Sequence, residues 1–183
     1  MTEISDRYRK IAATFTDRVE HVPPDRWDDP APCEGWVARD VVGHLVEWLP
    51  AFFFEQWDIA APDAPSVADD PVAAWKAIDT TLQRSLDDPS VAGTVRDTRM
   101  GPQSFEQCFD MIGTNDVFMH TWDLSRATGQ DETLDPDEVH RVYTDMQPAD
   151  EMLRQSGQFG PRVAVPDDAD EQTKLIAFVG RRP

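Results

Sequence analysis

Apolar residues in this chain recur at steps of three and four positions, and the alternation typical of half-buried strands is nearly absent. The N-terminal segment shows the pattern most clearly, in Ile4, Tyr8, Ile11, Phe15 and Val19. This spacing places apolar side chains on one face of an α-helix. The same spacing recurs along most of the chain, so we predict an all-α fold.

Start and stop signals mark the ends of the predicted helices. Asp70 and Asp135 are each followed by proline, the pattern of an N-cap before a first helical residue. Gly129 is a candidate left-handed C-cap. Pro50 and Pro148 are expected to kink the helices that contain them. The predicted helices cover residues 2–21, 37–57, 71–86, 103–128, 136–155 and 171–179.

The lengths of these helices favour one architecture. A helix of ~20 residues is about 30 Å long, which suits an antiparallel four-helix bundle. We therefore predict such a bundle with an additional short C-terminal helix. An extended piece is expected only near residues 93–96. With 183 residues, the chain is predicted to form a single domain over residues 1–183.

The charge balance excludes some classes of partner. Seventeen Lys and Arg residues stand against 35 Asp and Glu residues, so the net charge is −18. A protein that neutralises phosphates needs a basic face, so we exclude nucleic acid as a partner. The same charge argues against docking on anionic lipid.

The N-terminal residues and the cysteines bear on location. The longest apolar run, residues 49–54, is far below the ~20 residues needed to cross a bilayer. No apolar signal region is visible near the N-terminus. Cys33 and Cys108 lie far apart and imply no disulfide framework. We therefore expect a cytoplasmic protein with no membrane partner.

Two of the four histidines are candidate functional residues. His44 and His120 each lie within a predicted helix, on an otherwise apolar face. Either one alone would be interpreted as a core histidine with one hydrogen-bond partner. His21 and His140 lie at a helix end and in a charged stretch, so they are interpreted as surface residues.

The spacing of Asp116 and His120 indicates a metal site. They are four positions apart, so their side chains lie one helical turn apart on the same face. With His44 from a neighbouring helix, they would provide two imidazoles and one carboxylate. Three such ligands suit Zn²⁺ and leave a position open, and the set also accepts Fe²⁺, Ni²⁺ or Mn²⁺. The alternative is an ordinary helical ion pair between Asp116 and His120.

Other side chains are candidates for supporting roles. Asp123 continues the Asp116–His120 stripe by one turn and could orient a ligand imidazole; a solvated carboxylate or a bond to an indole is the alternative. Glu47 could act as a base, but a surface role is favoured. Cys33 has no evident basic partner and is interpreted as an inert thiol, and Cys108 as core.

The remaining catalytic motifs are absent from the sequence. It contains no Gly-rich phosphate loop, nucleophile elbow, H-E-x-x-H or C-x-x-C motif. Trp36, Trp48 and Trp122 are interpreted as core residues and pocket wall.

Three motifs carry a family resemblance. Residues 32–46 read PCEGWVARDVVGHLV, and residues 116–129 read DVFMHTWDLSRATG. Both resemble motifs of the DinB/YfiT-like metalloenzymes, in the actinobacterial branch that contains the metal-binding domain of mycothiol-dependent maleylpyruvate isomerase. The third motif, residues 159–181, resembles the tail of short members of that branch.

The resemblance implies a bundle that holds one divalent ion. The family's first ligand falls on His44, its carboxylate ligand, often Glu, on Asp116, and its last ligand on His120. Val37 stands where the family usually has a capping Thr. We therefore expect Asp40 alone to interact with the start of that helix.

The resemblance also implies a class of reaction. We expect a thiol-dependent, mycothiol-type transferase or isomerase that acts on small molecules, with a low-molecular-weight thiol as cosubstrate and an electrophile as its partner. One alternative is a metal-dependent hydrolase that uses metal-bound hydroxide; another is a non-catalytic binding module. A homodimer is an assembly that the sequence leaves open.

Overall fold

Helices dominate residues 2–183, the part of the chain that the computed structural model describes, so the prediction of a mainly helical protein is confirmed. The helices are α1 (Glu3–Glu20), α2 (Ala38–Leu49), α3 (Pro71–Asp87), α4 (Pro89–Ala92), α5 (Phe105–Phe109), α6 (Asn115–Thr128), α7 (Pro136–Met146), α8 (Asp150–Gln155) and α9 (Glu171–Phe178). Over these residues, none of the helices has the length and apolar character required to span a membrane.

The predicted helix caps are present. The carboxylate of Asp70 accepts a hydrogen bond from the backbone N–H of Ala73, and that of Asp135 accepts from the N–H of Asp137. Gly129 ends α6 in the left-handed conformation, with φ 71°. These contacts satisfy backbone groups that a helix end leaves without partners, which is why the local sequence locates the ends well.

Two π-helical turns interrupt the predicted long helices. The expected kink at Pro50 is the turn Pro50–Phe54, which continues α2. A second turn, Asp110–Thr114, joins α5 to α6. The helix predicted from residue 103 begins two residues later, because the Ser104 hydroxyl accepts from the N–H of Gln107 and caps α5.

A small β-hairpin is added to the otherwise helical fold. The extended piece expected at residues 93–96 is part of strand β1 (Val95–Thr98), which pairs antiparallel with β2 (Gly101–Ser104). Gly101 has φ 94°, a conformation that glycine adopts without steric cost, and it allows the chain to reverse. Four-residue strands are too short to show a clear alternation, so the sequence pattern missed the pairing.

The predicted bend in the fifth helix is confirmed. Residues 136–155 form α7 and α8, separated by a 3₁₀ turn, Gln147–Ala149, that contains Pro148. Proline removes one backbone donor from the helix, and the tighter turn accommodates that loss.

Four of the helices pack against one another, and their packing positions the candidate site. α1 packs against α3 and α6, and α2 packs against the same two helices. Between α1 and α3, the buried rings of Phe15 and Trp75 meet edge to face at 4.7 Å. α9 packs against α7. Because α2 and α6 are neighbours, His44 on α2 faces the helix that carries Asp116 and His120.

Candidate metal centre

His44, Asp116 and His120 converge where α2 packs against α6. One donor atom from each side chain lies within 4.8 Å of the other two. The His44 Nε2 lies 3.1 Å from Asp116 Oδ2, and the His120 Nε2 lies 3.5 Å from Asp116 Oδ1. The two imidazole nitrogens therefore approach the two oxygens of a single carboxylate.

The group lies at the margin of the core rather than inside it. The His120 side chain is 5% exposed, whereas the side chains of His44 and Asp116 are 22% and 25% exposed. Buried neighbours on α2, Val41 and Leu45, hold that helix against the core. One side of the group is thus anchored in the core and the other is partly exposed to solvent.

The start of α2 is capped as the sequence predicted. Val37 offers no side-chain acceptor, and the Asp40 carboxylate accepts a hydrogen bond from the Val37 backbone N–H at 2.9 Å. An acidic residue in the first turn also interacts favourably with the helix dipole.

Asp123 orients the His120 ring. Its Oδ2 lies 2.9 Å from His120 Nδ1, and the Asp123 side chain is 1% exposed. An ionised carboxylate can only accept a hydrogen bond, so Nδ1 is the donor. The other ring nitrogen, Nε2, is left facing Asp116. Of the two roles considered for Asp123, the geometry matches that of a carboxylate that orients a histidine.

Charges around His120 dominate its protonation. Burial by itself lowers the pKa of His120, but the charge of Asp116 and the hydrogen bond to Asp123 outweigh it and raise that pKa well above its usual range. Burial raises the pKa of Asp123, but His120 and then Arg181 together hold it below its usual range. These neighbours favour the protonated ring, and a metal ion bound at Nε2 would compete with a proton there.

Arg181 is a member of this network that the sequence analysis missed. Its Nη2 lies 3.0 Å from Asp123 Oδ2, and its Nε lies 3.2 Å from Asp123 Oδ1. The same Nη2 lies 3.2 Å from Cys33 Sγ, so the prediction that Cys33 lacks a basic partner is wrong. Arg181 is 58 positions from Asp123 and 148 positions from Cys33 in the sequence, so local spacing could not predict these contacts. The only pointer was the tail motif that ends in Arg181.

A second group of possible ligands overlaps the first. Cys33, His120 and Asp123 also have donor atoms within 4.8 Å of one another. The Arg181 guanidinium contacts two of these three side chains, and its positive charge opposes a cation there. The His44 group is therefore the better candidate for a metal ion.

Indole rings form a wall beside the two histidines. The Trp36 ring centroid lies 5.0 Å from that of His44 and stacks on His120 at 5.8 Å. Trp48 meets His44 edge to face at 6.0 Å. Trp122 is buried, with its ring beneath the Arg126 guanidinium at 4.7 Å. Trp36 and Trp48 thus have the wall position considered for them, and Trp122 is a core residue.

The other residues considered for functional roles are not part of the candidate metal centre. Glu47, His21 and His140 are exposed, in agreement with the surface roles favoured for them. Cys108 is fully buried, and burial raises the pKa of its thiol, as expected for a core cysteine.

Comparison with known proteins identifies the family. The sequence model of the family described as the mycothiol maleylpyruvate isomerase N-terminal domain matches residues 8–125. This range contains all three candidate ligands. Two uncharacterised proteins of Mycobacterium tuberculosis, from strains CDC 1551 and H37Rv, are each 26% identical over 176 residues, which cover 95% of both chains. No solved structure matches significantly. The chain belongs to the mycothiol maleylpyruvate isomerase N-terminal domain family, a family of metal-binding domains.

Proposed function

We propose that the protein binds one divalent metal ion through His44, Asp116 and His120 and catalyses a thiol-dependent transfer or isomerisation of a small molecule. The observation that carries the proposal is the convergence of these three donors from two packed helices. Family membership supports the same conclusion, because the matched domain is named for a mycothiol-dependent isomerase.

The donor set fits a catalytic ion. Two imidazole nitrogens and one carboxylate oxygen are ligands that Zn²⁺ accepts, and three protein ligands leave a position for an external molecule. Fe²⁺, Ni²⁺ and Mn²⁺ accept the same set, and Zn²⁺ is our first choice. The partial exposure of His44 and Asp116 gives that molecule access.

The residues around the ligands have separate tasks. A bound divalent ion would favour the thiolate form of a coordinating thiol at neutral pH. Asp123 accepts a hydrogen bond from the His120 Nδ1–H and so keeps Nε2 directed at the ligand group. Trp36 and Trp48 cover one side of the histidines and limit the access of water to a nucleophile placed there.

The surroundings favour an electrophile with an apolar part. The wall of Trp36 and Trp48 continues to Phe52, whose ring lies 5.5 Å from that of Trp48 and is 42% exposed as a residue. The net charge of −18 disfavours the approach of anions from a distance. An uncharged or weakly charged small molecule with an apolar face suits both features.

The antiparallel four-helix bundle in a single domain remains part of the proposal. Its support is the closed set of contacts in which α1 and α2 each pack against α3 and α6. In this arrangement the ligands come from two of the four helices, as in other bundle metal sites built from facing helices.

The test combines metal analysis with spectroscopy. Protein purified without a His tag is analysed for metals by mass spectrometry, and we expect about one divalent ion per chain. The ion is then replaced by Co²⁺, and cysteine-derived thiols are titrated in. We expect a sulfur-to-cobalt charge-transfer band that grows with thiol and is lost in His44→Ala. His21→Ala, which changes an exposed histidine, is the matched control and retains the band.

The alternatives predict different results. If thiols leave the spectrum unchanged while the metal-loaded protein hydrolyses esters or amides, the protein is a hydrolase. If the protein binds no divalent ion, or binds one in a closed site that excludes thiols and water, it is a non-catalytic binding module.

A further inference from the structure

Arg181 reaches the candidate metal centre from the segment that follows α9. Its guanidinium donates two hydrogen bonds to the Asp123 carboxylate, from Nε to Oδ1 at 3.2 Å and from Nη2 to Oδ2 at 3.0 Å. Asp123 lies within the residues that match the family model, and Arg181 lies 56 residues beyond their end at residue 125. The pair therefore ties a segment outside the family match to α6.

The Asp123 carboxylate is held by His120 and Arg181, with a longer contact from Cys33 Sγ at 3.4 Å. Oδ2 accepts from His120 Nδ1 as well as from Arg181 Nη2, and the Asp123 side chain is 1% exposed. Water has almost no access to this carboxylate, so solvent is a poor replacement for the guanidinium. If Arg181 were removed, the carboxylate would lose two of its bonds and keep only those from His120 Nδ1 and Cys33 Sγ, so its orientation towards His120 would be less constrained.

The backbone fixes the position of Arg181. The preceding residue, Gly180, has φ 89°, and an added Cβ there would lie 2.9 Å from the Gly160 backbone, so only glycine fits. The Arg181 N–H donates to the carbonyl of Ile176 at 3.0 Å, which closes the turn after α9. The guanidinium also contacts Cys33 Sγ in the loop before α2. Because the Arg181 side chain is anchored in this way, it can fix the orientation of the Asp123 carboxylate.

We propose that Arg181 is a positioning residue that holds Asp123, so that His120 presents Nε2 towards His44 and Asp116. Arg181 acts through Asp123 and does not itself contact His44 or Asp116. The segment after α9 thereby becomes part of the metal centre. The metal-affinity test rests on the proposed function, whereas the proton measurement described below does not.

The first experiment measures metal affinity. The dissociation constant for Zn²⁺ is obtained by competition with a chromophoric chelator for the wild type, Arg181→Gln and Arg182→Gln. Loss of the groups that orient a metal ligand typically costs 10–100-fold in affinity, so we expect Arg181→Gln to bind about 10–100-fold more weakly. Arg182 is the exposed neighbour, and Arg182→Gln is expected to bind like the wild type.

Arg181→Lys distinguishes positioning from charge. Lysine retains the positive charge but has no planar fork to bind both carboxylate oxygens. We expect it to recover part of the affinity. Full recovery would show that charge alone matters and would overturn the positioning role. Thermal unfolding followed by circular dichroism establishes that each variant is folded.

The second experiment needs no metal. In the metal-free protein, the His120 Nδ1 proton is hydrogen-bonded to a buried carboxylate, so we expect a downfield ¹H–¹⁵N signal that exchanges slowly with solvent. The signal is assigned by its loss in His120→Gln. We expect Arg181→Gln to accelerate the exchange at least tenfold, and Arg182→Gln to leave it unchanged.

The outcomes separate the two proposals. An Arg181→Gln protein that is folded, binds Zn²⁺ like the wild type and keeps the slow proton overturns the inference. If the wild type itself binds no Zn²⁺, the proposed function fails, and the exchange of the His120 proton still decides whether Arg181 positions the ring.

Discussion

Asp79 and Asp123 are two carboxylates at helix interfaces, and their pKa values shift in opposite directions. Asp79 on α3 accepts a hydrogen bond from the buried Tyr8 hydroxyl at 2.8 Å, and burial raises its pKa. Asp123 on α6 is more deeply buried, yet His120 and Arg181 hold its pKa below the usual range. Burial penalises both charges; the hydrogen bond from Tyr8 does not outweigh it at Asp79, whereas the hydrogen bonds and positive charges of His120 and Arg181 do at Asp123.

The difference separates a structural carboxylate from one that serves a site. The Tyr8–Asp79 bond joins α1 to α3, and a neutral phenol is sufficient for that purpose. At Asp123 the charge is needed, because it has to accept from His120 while Arg181 balances it. A buried charge is costly. The charged Asp123 beside the candidate metal ligands therefore indicates a functional site more strongly than the Tyr8–Asp79 bond does.

The largest expected effect comes from removing the charged carboxylate. Asp123→Ala leaves His120 and Arg181 without their anion in a buried place, and breaking such a pair costs about 3–5 kcal/mol. The free energy of unfolding, measured in urea, should fall by that amount. Asp145→Ala, on the exposed surface, is the control and should cause no measurable loss. A loss below about 1 kcal/mol would remove the distinction drawn between the two carboxylates.

Chelation should lower the melting temperature through the metal site beside Asp123 and independently of the Tyr8–Asp79 bond. A metal present at 100 times its dissociation constant stabilises the folded state by about 2.7 kcal/mol. For a chain of this size, that corresponds to a fall in Tm of roughly 5–10 °C when a chelator is added. His120→Ala should abolish the response, whereas Tyr8→Phe should retain it. Identical melting curves with and without chelator would contradict a bound metal.

Tyr8→Phe tests the neutral hydrogen bond. The change removes the hydroxyl and leaves the partly buried Asp79 carboxylate without this donor, which costs about 1–3 kcal/mol. The free energy of unfolding near pH 7 measures the loss. The matched change Asp79→Asn keeps an acceptor for Tyr8 and removes the charge, so it should cost less than Tyr8→Phe. A larger loss in Asp79→Asn would mean that the charge itself stabilises this interface.

Smaller effects are expected in the dependence of stability on pH. The pKa of Asp79 is raised above its ordinary value of 3.8, so the folded state binds the proton more tightly than the unfolded state. Its contribution to stability is therefore full below about pH 4 and is lost as the pH rises through the raised pKa. The difference in unfolding free energy between wild type and Asp79→Asn should decrease over that interval. A difference that does not vary with pH would contradict the raised pKa.

Asp123 should show the opposite slope in the metal-free protein. Its pKa is lowered, so its contribution is present above the ordinary value of 3.8 and is lost as the pH falls towards the lowered pKa. Comparing wild type with Asp123→Asn below pH 4 measures this slope. Slopes of the same sign for the two carboxylates would show that burial, rather than their partners, controls both.

The sequence by itself determined the features that depend on neighbours within a turn or two. Apolar spacing located the helices, and the caps at Asp70, Asp135 and Gly129 located several of their ends. The proximity of Asp116 and His120 also follows from their spacing, because residues four apart share a helix face. These features depend on backbone hydrogen bonds and local sterics, which neighbouring residues dictate.

Only the tertiary structure decided which distant residues meet. His44 was a candidate by its motif, but its 3.1 Å approach to Asp116 depends on the packing of α2 against α6. The β-hairpin, the orienting role of Asp123 and the contacts of Arg181 with Asp123 and Cys33 depend on the whole fold in the same way. Such contacts depend on how the helices pack, and that packing results from the burial of apolar side chains along the whole chain. A short stretch of sequence therefore cannot predict them.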